Sequence, residues 1–401
     1  MAAGSARPSL LRCLPMSIPE FAIAGLGITP MGRIYGRSAV SFAKEAVDLA
    51  VADAGLQLSD VDGLLINSPG ALGLGLQWQL GLRNLRLISE IQQYGSSASA
   101  MVQYAGMAVA AGMANHVVCV FADAPLKEGL GAGAAYAARR PAPKGVNGIS
   151  AAAGYSGANT RYAMAARRHM QTYGTTEEHF AAVAIAQRQW AGMNPMAQLR
   201  DPITVEDHHA SRWIAEPLRL LDCCLVSNGA VAVLVTTADR AANLAQPPVH
   251  VLGWGQGHPG TTQERGSRFG LVSGAVESSR TAFGMAGITV DDVDVAQIYD
   301  CYTYTVLVSL EDYGFCAKGE GGPFAASGAL GPGGSLPTNT GGGELSAYYM
   351  WGMTPLSEGI IQARGQGGER QASDAELVLV SGNGGILDFH STLVLGKERR
   401  S

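Results

Sequence analysis

The chain has 401 residues, of which 47% are apolar and only 15% are charged, so it can bury a large core and is not disordered. A net charge of −5 without any block of Lys or Arg argues against a nucleic-acid partner. No uncharged apolar stretch reaches the about 18 residues that a membrane span needs, so we expect a soluble globular protein.

The six cysteines have no CxxC spacing and no pairing pattern. This argues against a metal site and against a disulfide framework, and it favours the reducing cytoplasm. The N-terminal segment MAAGSARPSLLRCLP is basic, and its apolar run is too short for a secretory signal. We therefore predict a flexible tail at residues 1–16.

Two similar segments indicate an internal repeat. Residues 54–66 read AGLQLSDVDGLLI and residues 286–298 read AGITVDDVDVAQI, with glycine, acidic and apolar positions in register. Each follows a helix-like stretch, SFAKEAVDLAVADAG in the first copy and SSRTAFGMAG in the second, and each leads into an apolar strand. The repeat predicts two halves of similar fold.

Each half also contains apolar runs that are typical of buried strands. They are FAIAGLGI at Phe21, HVVCVFAD at His116, VHVLGWGQG at Val249 and ELVLVSGNGG at Glu376. Near-continuous apolar strands that alternate with helices predict parallel sheets covered on both faces.

The long segment between the halves is rich in Ala, Gly and polar helix formers, and it is too long for a structureless loop. Thr175 and Thr176 before Glu177 predict a capped helix start, so we expect a loop domain laid over an active site. The predicted domains are the tail at 1–16, a first half at 17–124 and 222–246, the loop domain at 125–221, and a second half at 247–401.

These features resemble the thiolase superfamily, and within it the lipid-transfer branch related to the sterol carrier thiolases. The likeness covers residues 17–398 and includes YGTTEEHFAAVAIAQRQWAGMNPMAQ, IAEPLRLLDCCLVSNGAVAVLV, YDCYT at Tyr299 and NTGGGELSAYYMWG at Asn339. It implies an α/β thiolase fold, in which two similar βαβαβ halves pack as a five-layered αβαβα core with a loop domain inserted in the first half.

The catalytic positions differ from those of a thiolase. A thiolase places its nucleophilic cysteine at the start of a buried helix, but the matching residues 92–97 contain no cysteine. Tyr299 stands where the sterol carrier thiolases have the histidine of their HDCF motif, and Tyr349 stands where they have the histidine of GHP. Their late acid/base cysteine falls near Ser381. Acyl-enzyme chemistry is therefore not expected.

A thiolase fold with tyrosines at both histidine positions resembles the Ltp2-type steroid side-chain aldolases. The resemblance implies that Tyr299 and Tyr349 are the general acid/base pair of a retro-aldol reaction on a β-hydroxyacyl-CoA, which releases propionyl-CoA and a 17-ketosteroid. It implies no cofactor in this chain and coenzyme A only as part of the substrate. It also implies a homodimer that forms a heterotetramer with a DUF35 protein, an OB fold joined to a zinc finger that holds the only metal.

Five further residues are candidates for the same site. Asp300 either orients a tyrosine or caps the next helix. Ser381 and Asn383 are candidate contacts of the thioester oxygen. Gly384 and Gly385 allow backbone N–H groups to approach CoA or an oxyanion, although glycines serve tight turns equally well.

Several alternatives stay open. The chain could be a non-catalytic acyl-CoA or sterol carrier with a degenerate thiolase site, a scaffold subunit, or an aldolase for a non-steroid acyl-CoA such as an aromatic one. Tyr299 and Tyr349 could serve only as packing, and Tyr348 could point inward instead of Tyr349. Which tyrosine is the acid and which is the base is also open. The apolar Met350, Trp351 and Met353 suit a bulky ring system.

Overall fold

The computed structural model describes residues 20–68, 72–136, 145–155, 157–262 and 264–399. The tail predicted at residues 1–16 lies outside these ranges. Within them, no helix is long and apolar enough to cross a membrane.

The first half begins with strands and helices in alternation. Its elements are β1 (Phe21–Ile28), α1 (Ala39–Asp53), β2 (Gly63–Asn67), α2 (Leu76–Leu80), β3 (Leu87–Glu90), α3 (Ser97–Ala110) and β4 (Val117–Asp123). Helix α1 begins after Ser38, whose hydroxyl accepts a hydrogen bond from the backbone N–H of Ser41, as an N-cap serine does. The strands predicted at Phe21 and His116 are confirmed as β1 and β4.

The insertion that follows β4 is mainly helical. Its elements are α4 (Val146–Ala152), α5 (Gly157–Tyr173), α6 (Glu177–Gly192), α7 (Val205–Ala210), β5 (Trp213–Ala215) and β6 (Leu218–Arg219). The predicted helix start is confirmed, since α6 begins directly after Thr176, whose N–H donates to Nδ1 of His179 over 3.1 Å. Helices α5 and α6 pack on the second half, because Tyr162 and Phe180 share an apolar cluster with Leu307.

The second half repeats the first. After β7 (Gly229–Thr237) and α8 (Ala238–Ala241) come β8 (Val249–Gly257), α9 (Ala275–Ala286), β9 (Val295–Ile298), α10 (Thr303–Tyr313), α11 (Gly321–Ala326), α12 (Met353–Ala363), β10 (Leu377–Gly384) and β11 (Phe389–Gly396). A short turn precedes both β2 and β9. Each turn contains an aspartate, Asp60 or Asp292, whose carboxylate accepts a hydrogen bond from the backbone N–H three residues earlier. The internal repeat is therefore confirmed down to its capping bonds.

In the described ranges, nine strands form one mixed sheet in the order β3-β2-β4-β7-β1-β8-β11-β10-β9, and β5 pairs with β6 in a separate two-stranded sheet. The two halves meet between β1 and β8, at the pairs Ala22–His250 and Ile23–Val249. Strand β2 is parallel to β3 and β4, and β9 is parallel to β10, whereas the other pairings are antiparallel. The prediction of parallel sheets is wrong in this respect, because helices on both faces make a strand apolar whatever its direction.

Five layers result from the way the helices cover the sheet. Helix α1 packs on the outer face of the first half, and α9 with α10 on the outer face of the second. Helices α3 and α12 contact strands of both halves and form the middle layer. Met101 of α3 and Leu356 of α12 belong to one buried cluster with Val233 and Val380 from the two half-sheets.

Candidate active site

Tyr299 follows the last residue of β9 and is held there by its backbone. Its N–H donates to the carbonyl oxygen of Ser381 over 2.9 Å. The side-chain amide of Asn339 bonds both to the N–H of Ile298, at 2.7 Å, and to its carbonyl oxygen, at 2.8 Å. The side chain of Tyr299 is only 4% exposed. A fixed backbone and a buried ring leave this phenol little freedom.

The hydroxyl group of Tyr299 meets that of Tyr349, and the two oxygens lie 3.3 Å apart. Tyr349 is half-buried, and its backbone N–H donates to Oγ of Ser227 over 3.0 Å. The alternative residue, Tyr348, points away, since its hydroxyl bonds to Oγ of Ser357 at 2.7 Å within the core. Tyr299 and Tyr349 are called the tyrosine pair below.

The pKa values of both phenols of the tyrosine pair are raised, which disfavours their ionisation. Burial raises the pKa of Tyr299 well above its usual value, and the nearby charge of Glu344 adds to the effect. Burial likewise raises the pKa of Tyr349, helped by Cys224 and Glu344. At neutral pH both hydroxyls therefore carry their protons, and at this separation a proton can pass from one to the other.

Asp300 holds a tight turn beside the pair. Its carboxylate accepts hydrogen bonds from the backbone N–H groups of Glu344, at 2.9 Å, and Leu345, at 3.1 Å. A side chain at Gly343 would collide with this carboxylate, and Gly342 and Gly343 both have positive φ, which explains why glycines stand there. Burial raises the pKa of Asp300 to about 7, against the opposing effect of these N–H donors. Asp300 thus caps the turn at residues 343–347 and not helix α10.

Glu344 lies in this turn and was not predicted. Its side chain is wholly buried, and neither carboxylate oxygen has a hydrogen-bond partner among the residues described. Burial, together with the charge of Asp300, raises the pKa of Glu344 well above its usual value. The acid that follows three glycines in NTGGGELS was the signal for it in the sequence.

The remaining predicted residues surround the end of β10. The hydroxyl of Ser381 lies 3.0 Å from Nε2 of His390 inside the protein. The oxygen Oδ1 of Asn383 accepts from the hydroxyl of Tyr162 over 3.2 Å, while Nδ2 has no partner in the described part of the chain. The carbonyl oxygen of Gly385 accepts a hydrogen bond from the same Tyr162 hydroxyl over 3.0 Å. Gly384 packs against the carbonyl of residue 93, where a side chain would collide.

Two further residues, Tyr162 and Gly95, complete this arrangement and were not predicted as site residues. Tyr162 belongs to α5 of the insertion and ties that helix to β10. Gly95 lies just before α3, where a Cβ atom would collide with the ring of Tyr299 and the carbonyl oxygen of Asn383. The start of α3 therefore packs directly on Tyr299. Residues 92–97, which precede and begin this helix, contain no cysteine.

The two halves present matching turns at the site. Tyr94 before α3 and Trp351 before α12 both have positive φ, 53° and 50°, and their rings are 5.9 Å apart. Trp351 is half-buried and stacks on Phe121 at 5.2 Å. Met350 and Met353 are completely buried in the middle layer. Of the three apolar residues predicted near the site, only Trp351 reaches the protein surface.

The thiols near the site are not activated. Burial raises the pKa of both Cys301 and Cys224 well above the usual value, so neither is a thiolate at neutral pH. In the ranges that the structure describes, no cluster of His, Cys, Asp and Glu side chains could hold a metal ion.

The chain is similar to several known proteins. Residues 255–397 match the Thiolase C-terminal domain-like family. The chain is 39% identical over 394 residues to the steroid side-chain-cleaving aldolase of Thermomonospora curvata, covering 94% of this chain and 98% of that protein. It is also 39% identical over 387 residues to the 17-hydroxy-3-oxo-4-pregnene-20-carboxyl-CoA lyase of Mycobacterium tuberculosis, covering 94% of this chain and 99% of the relative.

Among solved structures, the Ltp2-ChsH2(DUF35) aldolase superposes with a TM-score of 0.85 and 36% identity, covering 95% of this chain and 98% of that one. Fold and sequence similarity together define a protein of the thiolase fold. The chain belongs to the family of thiolase-like steroid side-chain-cleaving aldolases, which are carbon–carbon lyases.

Proposed function

We propose that this chain cleaves a β-hydroxyacyl-CoA by a retro-aldol reaction, and that the substrate is a CoA thioester of a steroid C17 side chain. The products are propionyl-CoA and a 17-ketosteroid. The observation that carries the proposal is the contact of the two phenol hydroxyls of Tyr299 and Tyr349, at 3.3 Å. The substrate class follows from the name of the lyase of Mycobacterium tuberculosis.

The reaction needs one proton to move from the C17 hydroxyl to the carbon next to the thioester. One phenol of the tyrosine pair takes the hydroxyl proton as its own proton passes to the other phenol, while the electrons of the C–C bond move into the thioester as an enolate. The other phenol gives its own proton to the enolate carbon, so that each phenol has lost one proton and gained one. Nothing becomes covalently attached to the protein. The reaction needs no cofactor of this chain, and coenzyme A enters only as part of the substrate.

A groove on the insertion supports binding of the CoA moiety. It has a volume of about 520 Å³ and is lined by Met164, Arg167, Arg168 and Phe269, among others. The two arginines lie on α5, the same helix whose Tyr162 bonds to Asn383. Guanidinium groups bind phosphate oxygens well, and CoA carries several phosphates. The free Nδ2 donor of Asn383 would then face the thioester end.

We further propose that the chain acts as a homodimer and binds a DUF35 protein in a cytoplasmic heterotetramer. The named partner in the related Ltp2-ChsH2(DUF35) aldolase supports this assembly. Strand β3 lies at the edge of the sheet, where a strand leaves main-chain groups unpaired, and Trp78 of α2, the helix that precedes β3, is 64% exposed. In this assembly, zinc would belong to the partner alone.

The test is to co-purify the chain with its DUF35 partner and to mix the complex with a 17-hydroxy steroid side-chain CoA thioester. Mass spectrometry then searches for propionyl-CoA and the 17-ketosteroid. Both products are expected. If the thioester binds but is recovered uncleaved, a carrier function or an acyl-CoA of another class replaces the proposal. An aromatic β-hydroxyacyl-CoA, run in parallel, separates those two outcomes.

A further inference from the structure

Three aromatic side chains lie side by side next to the tyrosine pair, and the reaction as described so far uses none of them. They are Tyr94 before α3, Trp351 before α12 and Phe389 at the start of β11, and they are called the aromatic wall below. The ring centroid of Tyr94 lies 5.9 Å from that of Trp351 and 6.2 Å from that of Phe389. Tyr94 is 41% exposed, and the other two are half-buried. The wall is therefore open to a ligand from outside.

The backbone places the aromatic wall within one or two residues of the reacting hydroxyls. Gly95 follows Tyr94, and a Cβ atom at Gly95 would collide with the ring carbon of Tyr299 that carries the hydroxyl. Gly352 follows Trp351, and a Cβ atom there would collide with the carbonyl oxygen of Gly95. Trp351 also lies only two residues beyond the second phenol of the pair. The wall and the tyrosine pair thus form one continuous surface.

The backbone conformation of the wall is costly for bulky residues. Tyr94 and Trp351 both have positive φ, a region in which glycine or asparagine is accommodated with less strain. Strain of this kind persists where the structure needs it, and it is concentrated at functional sites. For Trp351, packing against Phe121 supplies a structural reason. For Tyr94, much of which is in water, packing alone does not explain why a large ring stands there.

The chemistry of the wall selects an apolar ligand with flat rings. Aromatic side chains offer a large contact area at a small cost in conformational entropy, and ring pairs attract one another at centroid distances of about 4.5–7 Å. His258 stands at the rim with its ring edge-on to Phe389, at 5.6 Å, and burial lowers its pKa, so it is neutral at neutral pH. The wall therefore offers no cation to a phosphate, in contrast to the arginine-lined groove on the insertion.

We infer that the aromatic wall binds the apolar fused-ring part of the substrate, and that Tyr94 is a residue that determines specificity for it. The inference deepens the proposed function and rests on it for the identity of the rings. The fused rings lie against the wall, the C17 hydroxyl group points to the tyrosine pair, and the thioester leads towards the groove on the insertion. The wall takes part in no bond-breaking step.

The two products separate the ring part of the substrate from its CoA part, so they serve as probes. The complex with the DUF35 partner is titrated calorimetrically with the 17-ketosteroid and, separately, with propionyl-CoA. Tyr94→Asn removes the ring and keeps a residue that tolerates positive φ. It should weaken ketosteroid binding by about 3- to 10-fold and propionyl-CoA binding by less. Tyr94→Phe keeps the ring and should retain ketosteroid binding.

The matched control for this titration is Tyr104→Ala. It removes another tyrosine near the start of the chain's helix α3, and Tyr104 is 42% exposed, as much as Tyr94. The control should bind both products as the wild type does.

The tryptophan emission of the complex provides a second measurement. A ketosteroid on the wall shields the half-buried indole of Trp351 from water, so the emission should move to shorter wavelength when the ketosteroid is added. Trp351→Phe should lose this shift. Trp213→Phe should keep it, because Trp213 is an equally accessible indole on the insertion that stacks under the guanidinium of Arg219, 3.6 Å away.

The inference is overturned if Tyr94→Asn binds the ketosteroid as tightly as Tyr104→Ala does, or if the emission shift persists in Trp351→Phe. It is also overturned if the complex does not bind the ketosteroid. Binding to the chain alone would then show that the partner protein covers the wall. If the complex cleaves the thioester in spite of such results, the proposed function stands without this inference. A complex that binds the ketosteroid at the wall but cleaves no thioester refutes the proposed function and leaves the ring site standing.

Discussion

Replacing Tyr299, Tyr349 or both with phenylalanine separates the chemistry of the tyrosine pair from its contribution to stability. The change removes only hydroxyl groups, and the hydrogen bond at stake, between two hydroxyls 3.3 Å apart, is a long one. The loss in free energy of unfolding should therefore be at most about 1.5 kcal/mol for each variant. Each single variant should lose about 10²- to 10⁴-fold in turnover, because one proton transfer is removed.

The double variant gives the sharper result. If the two phenols pass one proton between them, losing either breaks the same path, so the double variant should be no slower than the slower single one. Initial rates of propionyl-CoA formation by the partner complex measure the turnover, and thermal unfolding measures the stability. The matched control is Tyr348→Phe, which loses the bond to Ser357 in the core and should keep its turnover. Losses that multiply in the double variant, or near-normal rates in either single variant, would refute a shared proton path.

Three other changes probe the surroundings of the site. Gly95→Ala should displace the ring of Tyr299, lower the free energy of unfolding by about 1–3 kcal/mol and abolish most of the turnover. Gly284→Ala in α9 is the control, because its new methyl group meets no atom, and it should raise the free energy of unfolding by about 0.5–1 kcal/mol in thermal unfolding. Tyr94→Cys should not produce ketoacyl-CoA thiolysis in a thiol-release assay, because we assign Tyr299 and Tyr349 to the positions of the two histidines of a thiolase. Arg168→Ala should raise KM for the CoA thioester with little change in kcat, since it removes a cation from the groove on the insertion, and an unchanged KM would place the phosphates elsewhere.

The sequence alone located the strands and helices that are marked by a pattern of neighbouring residues. The apolar run at Phe21 marks β1 from its first residue to its last, and the two-threonine start of α6 lies where it was predicted. The direction of the strands could not be predicted in this way, because burial on both faces gives parallel and antiparallel strands the same apolar composition. That property depends on how the chain returns to the sheet after a connection of many residues.

The site shows the same division between local and distant signals. Tyr299 and Tyr349 were predicted from their places in two motifs that resemble those of the sterol carrier thiolases, and the structure places their hydroxyl groups 3.3 Å apart. Glu344 is part of one of those motifs, but an acidic residue after glycines is normally a solvated loop residue. Its burial results from packing against elements that are distant in the sequence, so the local pattern does not predict it. The bond of Tyr162 to Asn383 spans 221 residues, and nothing in the pattern of helix α5 points to that partner.

The insertion also ties the stability of each half to the presence of the other. The insertion follows β4, a strand of the first half. Its helices α5 and α6 nevertheless cover the outer face of the second half, where Tyr162 and Phe180 share one apolar cluster with Leu307. A fragment that contained only the second half would expose this apolar face to water. The duplicated halves are therefore not two exchangeable modules, and we expect them to unfold in one cooperative transition.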